Sequence, residues 1–124
     1  MLFQGRITQG VVGAAIEVHR TLGPGLLESS YEECLAHEFR IRKIGYKRQV
    51  SLPLSYKNVF LDCGYRVDFL IEGTVLVELK CVERILPIHE AQLLTYLKIS
   101  RKRVGLLLNF NVPFLRYGLV RKVL

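Results

Sequence analysis

Three ionisable residues stand where a folded sheet would ordinarily place hydrophobes. Asp68 interrupts the apolar run Arg66-Val-Asp-Phe-Leu-Ile71, and Glu78 and Lys80 close the run Thr74-Val-Leu-Val-Glu-Leu-Lys80. An isolated charge in a sheet centre costs several kcal/mol unless partners or a metal compensate it. Two carboxylates and an ammonium brought together by one hairpin suit a divalent metal ion with a positioned cation beside it. That is the equipment of a hydrolase.

The spacing makes a geometric demand. Side chains alternate along a strand, so Glu78 and Lys80 share a face while Val75, Val77 and Leu79 point the other way. Asp68 joins that face only if it pairs with an even-numbered residue. A three-residue turn, Glu72-Gly73-Thr74, with Gly73 at positive φ, sets Ile71 against Val75 and Asp68 across from Glu78. A two-residue turn would leave Asp68 opposite Val77 and put Glu78 on the other face. The competing reading is a surface hairpin with a solvated salt bridge worth less than ~1 kcal/mol. Both runs are apolar on both faces, however, as central strands covered on each side are.

The elements that must carry these residues are legible from periodicity. Apolar residues at 7, 11, 14, 15, 18 and 22 give a helix from Ile7 to about Thr21, broken by Gly23-Pro24-Gly25. Leu26 to about Lys43 reads as a second helix, with Gly45 just beyond it. Tyr46–Tyr56 reads as a strand whose Pro53 points to an edge or a bulge. Lys57-Asn58 turns the chain into a hairpin of Leu61–Ile71 and Thr74–Lys80. Pro87 opens a third helix running through Ile99, and Val104–Asn109 and Leu119–Val123 close the chain as strands.

Composition bounds the class. A chain of 124 residues, half of it apolar with four prolines, is one domain's worth and argues against disorder. No apolar run approaches the ~18 residues of a membrane span, and no basic-then-apolar leader opens the chain. Leu2-Phe3-Gln4-Gly5 carries no functional weight. Cys34, Cys63 and Cys81 form no Cys-x-x-Cys pair, so the expectation is reduced thiols in a cytoplasmic protein. Net charge is +7, from 18 Lys and Arg against 11 Asp and Glu. Basic residues gather at Arg40, Arg42, Lys43, Lys47 and Arg48, and at Lys98, Arg101, Lys102 and Arg103. A phosphate polyanion suits such patches; ordinary solubility charge is the alternative.

Asp68 followed by Glu78-Leu79-Lys80 resembles the signature of the PD-(D/E)XK nuclease superfamily. The stretch Gly25-Leu-Leu-Glu28-Ser-Ser-Tyr31, preceded by Ala15–Arg20 and Leu22-Gly23-Pro24, resembles the motif that names the GxxExxY family within it. The likeness extends through Glu90–Tyr96 and Leu107–Pro113, and so over nearly the whole chain. It implies an α/β (α+β), restriction-endonuclease-like αβββαβ core, a mixed sheet flanked by helices, here with one extra N-terminal helix and one domain over 1–124. The element order read above agrees with it.

The resemblance also implies roles. Asp68, Glu78 and the Leu79 backbone carbonyl would hold Mg²⁺ or Mn²⁺ through hard oxygen ligands, and Lys80 would orient or deprotonate the attacking water. Glu28 falls on the apolar stripe of the second helix, near Tyr31, Leu35 and Phe39, and would join the metal shell; the alternative is an N-terminal acid favourable to the helix dipole. Gln92 and Tyr96 share a face of the third helix, with His89 one turn earlier. They would orient the lysine or contact substrate phosphate, or else form a polar shoulder. His19 is a metal ligand by analogy or a helix-end histidine satisfied by backbone. The implied activity is metal-dependent hydrolysis of phosphodiester bonds in DNA, less so RNA, with a homodimer or protein partner supplying recognition. A non-catalytic nucleic-acid-binding or assembly subunit and a phosphoesterase for small nucleotides are the alternatives.

Overall fold

The computed structural model describes residues 5–124; Leu2, Phe3 and Gln4 of the opening segment lie outside the described residues. Helix α1 (Gly5–Leu22) buries Val11, Ala14, Ala15, Val18 and His19 at helical spacing, and α2 (Glu28–Ile41) buries Tyr31, Leu35, Ala36 and Phe39. Such stripes need an apolar surface to cover. The sheet supplies it, beginning with β1 (Tyr46–Ser51). A short hairpin follows, made of β2 (Leu54–Tyr56) and β3 (Val59–Leu61). Strands β4 (Arg66–Ile71) and β5 (Val75–Lys80), helix α3 (Pro87–Ser100), and strands β6 (Val104–Asn109) and β7 (Leu119–Val123) complete the chain.

The main sheet runs β1-β4-β5-β6-β7, with β2-β3 as a separate two-stranded piece. Among the described residues only β5 and β6 pair in parallel, and α3 is the crossover that parallel neighbours require. The chain is thus α+β with a mixed sheet, and α2-β1-β4-β5-α3-β6 gives the expected αβββαβ order behind one extra helix. Helices α1 and α2 cover one face, packing on Phe69, Ile71, Val77, Leu79, Leu106 and Leu108. Helix α3 covers the other through Leu93, Tyr96 and Leu97 against Val67, Leu76 and Leu107. Burial from both sides explains why β5 and β6 read as continuous hydrophobic runs.

Two expected boundaries shift. The strand expected over Tyr46–Tyr56 stops at Ser51, and the one expected from Leu61 starts at Arg66. Pro53 has no N–H to donate, and every residue of β3 is exposed, so that segment has no core to join. The chain turns at Lys57-Asn58, as expected, with both residues at positive φ. The Asp62 carboxylate then accepts a bond from the Gly64 N–H at 3.0 Å, an Asx turn that leads back to the sheet.

A short 3₁₀ helix, Leu115–Gly118, returns the chain from β6 to β7. A Cβ at Gly118 would stand 2.2 Å from the Asn109 carbonyl oxygen. Gly118→Ala therefore forces backbone apart at the end of β6, at a cost of about 1–3 kcal/mol. A lower urea midpoint with unchanged slope is the expected readout; an unchanged midpoint would show that the loop gives way freely.

Candidate active site where two strands part

The β4–β5 register pairs Ile71 with Val75, Leu70 with Leu76 and Phe69 with Val77, the register that a three-residue turn requires. Glu72 and Gly73 both take positive φ, 51° and 69°, and the Thr74 N–H bonds the Ile71 carbonyl at 2.9 Å. The paired residues end at Phe69 and Val77, which leaves Asp68 across from Glu78. There the two carboxylates take over from the ladder. The Asp68 N–H donates to Glu78 Oε1 at 2.7 Å, and the Leu79 N–H donates to Asp68 Oδ2 at 2.8 Å.

Strand alternation fails at the same place. Val67 packs on the α3 side while Phe69 packs under α1 and α2, although two residues apart they would ordinarily share a face. Strand β1 breaks in step: Tyr46 belongs to one core and Val50 to the other, around Gln49 at φ 50°. The β1–β4 register skips this pair, passing from Arg48–Phe69 to Val50–Val67. A left-handed residue other than glycine costs on the order of 1 kcal/mol. Gln49 is held there by use: its Nε2 donates to Asp68 Oδ1 at 3.0 Å and to Glu32 Oε1 at 2.7 Å. Sequence reasoning gave neither Gln49 nor Glu32 a place at the site. Nothing in the polar run Lys47-Arg48-Gln49 singles out the middle of a bulge.

Burial shapes the charges. Glu78 is 8% exposed. Desolvation first, then the Asp68 charge, push its carboxyl up to about 8. Desolvation likewise raises Asp68, against the pull of the Leu79 N–H and of Gln49. Lys80 is half-buried and its charge draws Glu28, Asp68 and Glu78 back down. Among the described residues it makes no direct ion pair with any of them, so the solvated cross-strand bridge is not what this hairpin carries. The arrangement is a sheltered notch with more carboxylate than cation.

Residues 5–122 match the PD-(D/E)XK nuclease superfamily. The chain belongs to that superfamily. No curated protein and no solved structure matches it.

Nucleases of the PD-(D/E)XK superfamily generally use divalent metals and take nucleic acid as substrate. The donor set of this chain fits a hard cation: the carboxylate oxygens of buried Glu78 and half-buried Asp68, crowded together and both raised first by desolvation. Among the described residues no group of three or more His, Cys, Asp or Glu side chains is gathered to hold an ion. Mg²⁺ asks for less than that, since it keeps several waters and binds through one or two carboxylates.

Glu28 stands on the azimuth of Tyr31, Leu35 and Phe39, but it is the first residue of α2 and is exposed rather than buried in the stripe. The helix start overhangs the notch. Partial desolvation and then the Asp68 charge raise the Glu28 carboxyl, while Lys80 and the Cys81 N–H lower it. The motif around it has a plain structural logic. Gly25 sits at φ 102°, which suits glycine. The buried Tyr31 hydroxyl donates to the Gly23 carbonyl at 2.5 Å and accepts from the Leu26 N–H at 3.2 Å. Tyr31 also stacks on Phe110 at 4.5 Å. Tyr31→Phe keeps the stack and leaves the loop's polar groups short of a partner, at a cost of about 1–3 kcal/mol. Thermal denaturation would register the loss, and an unchanged midpoint would make the hydroxyl dispensable.

Tyr96 is buried, its ring 6.1 Å from Tyr65, and desolvation followed by the Glu78, Tyr65 and Asp68 charges raises its hydroxyl. Gln92 is exposed and makes no hydrogen bond to the notch, so only one of the two helix residues is brought to the carboxylates. His89 accepts the Leu86 N–H at 3.0 Å and caps α3. His19 bonds the Val112 carbonyl at 2.8 Å, the backbone-satisfied reading. Asn109 is 1% exposed and pairs in register with Lys80. It takes the Val82 N–H at 3.1 Å, gives to the Val82 carbonyl at 2.9 Å, and so pins the chain just beyond Lys80.

Most of the two basic clusters lies toward the other end of the sheet, but Arg48, paired with Phe69 and bonded to Glu32, stands beside the notch. Arg40, Arg42 and Lys43 end α2, and Lys47 is near the start of β1, whose Tyr46 pairs with Ile71. Lys98 is in the last turn of α3, and Arg101, Lys102 and Arg103 stand between that helix and Val104, the residue that pairs with Val75. Much of the first cluster is engaged: Arg40 with the Tyr46 hydroxyl, Arg42 with Glu38 at 2.7 Å, and Arg48 with Glu32 and Glu33 at 2.6 and 2.8 Å. Cys34, Cys63 and Cys81 are free thiols, and no helix among the described residues is long and apolar enough to cross a membrane.

Proposed function

We propose that this chain is a metal-dependent nuclease of the GxxExxY branch, a single domain over 1–124 hydrolysing phosphodiester bonds in DNA rather than RNA. The observation that carries this reading is the meeting of Asp68, Glu78 and Lys80 where β4 and β5 part. Phosphodiester hydrolysis needs an activated water and relief of the negative charge that grows on the phosphoryl oxygens. Asp68, Glu78 and the Leu79 carbonyl would hold Mg²⁺ or Mn²⁺, with Glu28 at the rim reaching through water. When bound, that ion supplies Lewis-acid stabilisation and a lowered water pKa.

The rest falls to side chains. Lys80 orients the attacking water and offsets phosphate charge as an ammonium, or takes the proton of that water as the neutral amine and becomes the ammonium in doing so. Gln49 and the Leu79 N–H fix both oxygens of Asp68, so its carboxylate cannot swing away as charge moves. Tyr96 walls the notch beside Glu78 and excludes water. The basic surface supports a polyanionic substrate, and reduced thiols agree with a cytoplasmic setting. A homodimer or a partner protein would supply further recognition.

A second reading is a nucleic-acid-binding or assembly subunit without turnover. It draws support from the lack, among the described residues, of a third carboxylate gathered with Asp68 and Glu78. The test is incubation with linear, nicked, branched and circular single-stranded DNA in Mg²⁺ or Mn²⁺, beside Asp68→Ala and Lys80→Ala. Cleavage lost in both variants supports the enzyme. Binding without cleavage in either metal would favour the subunit.

A further inference from the structure

The β2–β3 hairpin belongs to neither core. It leaves the sheet after Ser51 and rejoins it at Arg66, two residues before Asp68. Ser55 pairs with Phe60 across it, and in an antiparallel pair these two side chains share a face. That face borders a cavity of about 410 Å³, floored by Leu70 and Leu76 and bounded on the far side by Arg101 and Lys102 at the end of α3. Phe60 is 80% exposed. A large aromatic left in water at the lip of a groove, facing two cations, is an arrangement that a packed core does not explain.

The groove is continuous with the notch in one respect that the register fixes. Leu76, Glu78 and Lys80 project from the same side of β5, so the floor of the groove lies only about 7 Å along the strand from Glu78. Tyr96, its ring 6.1 Å from that of Tyr65, stands near both acids. A planar hydrophobic ring, a pair of cations and the Ser51 and Ser55 hydroxyls match the parts of a nucleotide: base face, phosphate and sugar. A duplex hides its base faces in the stack and is too broad for a cleft of this volume. An unpaired nucleotide offers all three parts at once.

We propose that this groove binds an unpaired nucleic-acid strand, with one base stacked on Phe60 and the adjoining phosphate held by Arg101 and Lys102. The proposal rests on the nuclease reading in taking nucleic acid as the ligand, and it narrows the substrate to an end, gap or flap with an unpaired segment beside the cleaved bond. It also gives the Arg101 and Lys102 charges a task that their distance from Lys80 otherwise denies them.

The experiment is fluorescence anisotropy of labelled oligothymidylate, its RNA counterpart and a blunt duplex of equal length, in EDTA, with the full chain. Phe60→Ala is expected to weaken oligothymidylate binding by roughly 5- to 100-fold, as loss of one base–aromatic stack does. Phe60→Tyr should restore it. Arg101→Gln with Lys102→Gln should lower the salt dependence by about one to two phosphate contacts. The exposure of Phe60 leaves the fold out of the result, which unchanged melting temperatures would verify. Equal affinity of wild type and Phe60→Ala, or equal weakening on the blunt duplex, would overturn the proposal. So would self-association that Phe60→Ala abolishes while oligonucleotide affinity stays constant, because the face would then seat a second copy. Cleavage assays keep the two readings apart. Loss of turnover in Lys80→Ala with a silent Phe60→Ala leaves the nuclease and removes the groove; weakened oligothymidylate binding in Phe60→Ala with no cleavage by wild type in either metal leaves the groove and removes the nuclease.

Discussion

Lys80→Ala is expected to lower metal-dependent DNA cleavage by about 10²- to 10⁴-fold, the range for losing a positioned proton-transfer group. Affinity for DNA should change little. The ammonium stands among Glu28, Asp68 and Glu78, acting on the charge of each, and among the described residues it is not spent on a direct ion pair. A lysine kept for structure would be paired; one kept for chemistry is held near charge and left free to reach water. Lys80→Arg separates the two parts of its work. It restores the positive charge but not the ability to give up a proton, so binding should match wild type while turnover stays low. Single-turnover rates beside anisotropy titrations would check this. Full turnover in Lys80→Arg would reduce Lys80 to a simple counter-charge.

The second large effect is on stability, in protein freed of metal. The Glu78 carboxyl is pushed from 4.5 to about 8 by desolvation and by Asp68. Between those values the folded chain holds a proton that the unfolded chain releases. Stability from this group is therefore fully present below pH 4.5 and is lost as pH rises through about 8. In EDTA the urea midpoint should fall steadily between pH 5 and 9. Glu78→Gln keeps an oxygen for the Asp68 N–H and removes the titration, so it should gain on the order of a few kcal/mol over wild type at pH 9 and little at pH 5. A flat wild-type profile, or equal slopes in the two proteins, would show that Glu78 ionises without penalty and that the notch is wetter than its burial indicates.

Much of this was legible in the sequence, for identifiable reasons. The turn length followed from requiring Asp68 and Glu78 to meet, since a shift of one residue moves a whole strand to the other face. Strands β6 and β7 were bounded by hydrophobic runs with clear ends. Less legible was everything set by long-range approach. The Tyr46–Tyr56 strand split because β2 and β3 had no face to bury, which local β-propensity cannot reveal. Gln49 acquired its place from a bulge forced by two strands changing faces together. Glu28 was read as part of the apolar stripe of α2, but a helical wheel has no axial coordinate and could not show that the core stops short of the first turn. The basic clusters were real as composition, yet the register carried all but Arg48 toward the far end of the sheet.

The most direct measurement is calorimetric titration of Mn²⁺ into wild type, Asp68→Ala and Glu78→Gln in buffers of different ionisation heat. Wild type should take up the ion with release of a proton near pH 7, while neither variant binds comparably and Glu78→Gln releases none. Indistinguishable isotherms for wild type and Asp68→Ala would mean that cations settle somewhere other than the gap between β4 and β5, leaving the pair of acids without the task assigned to it.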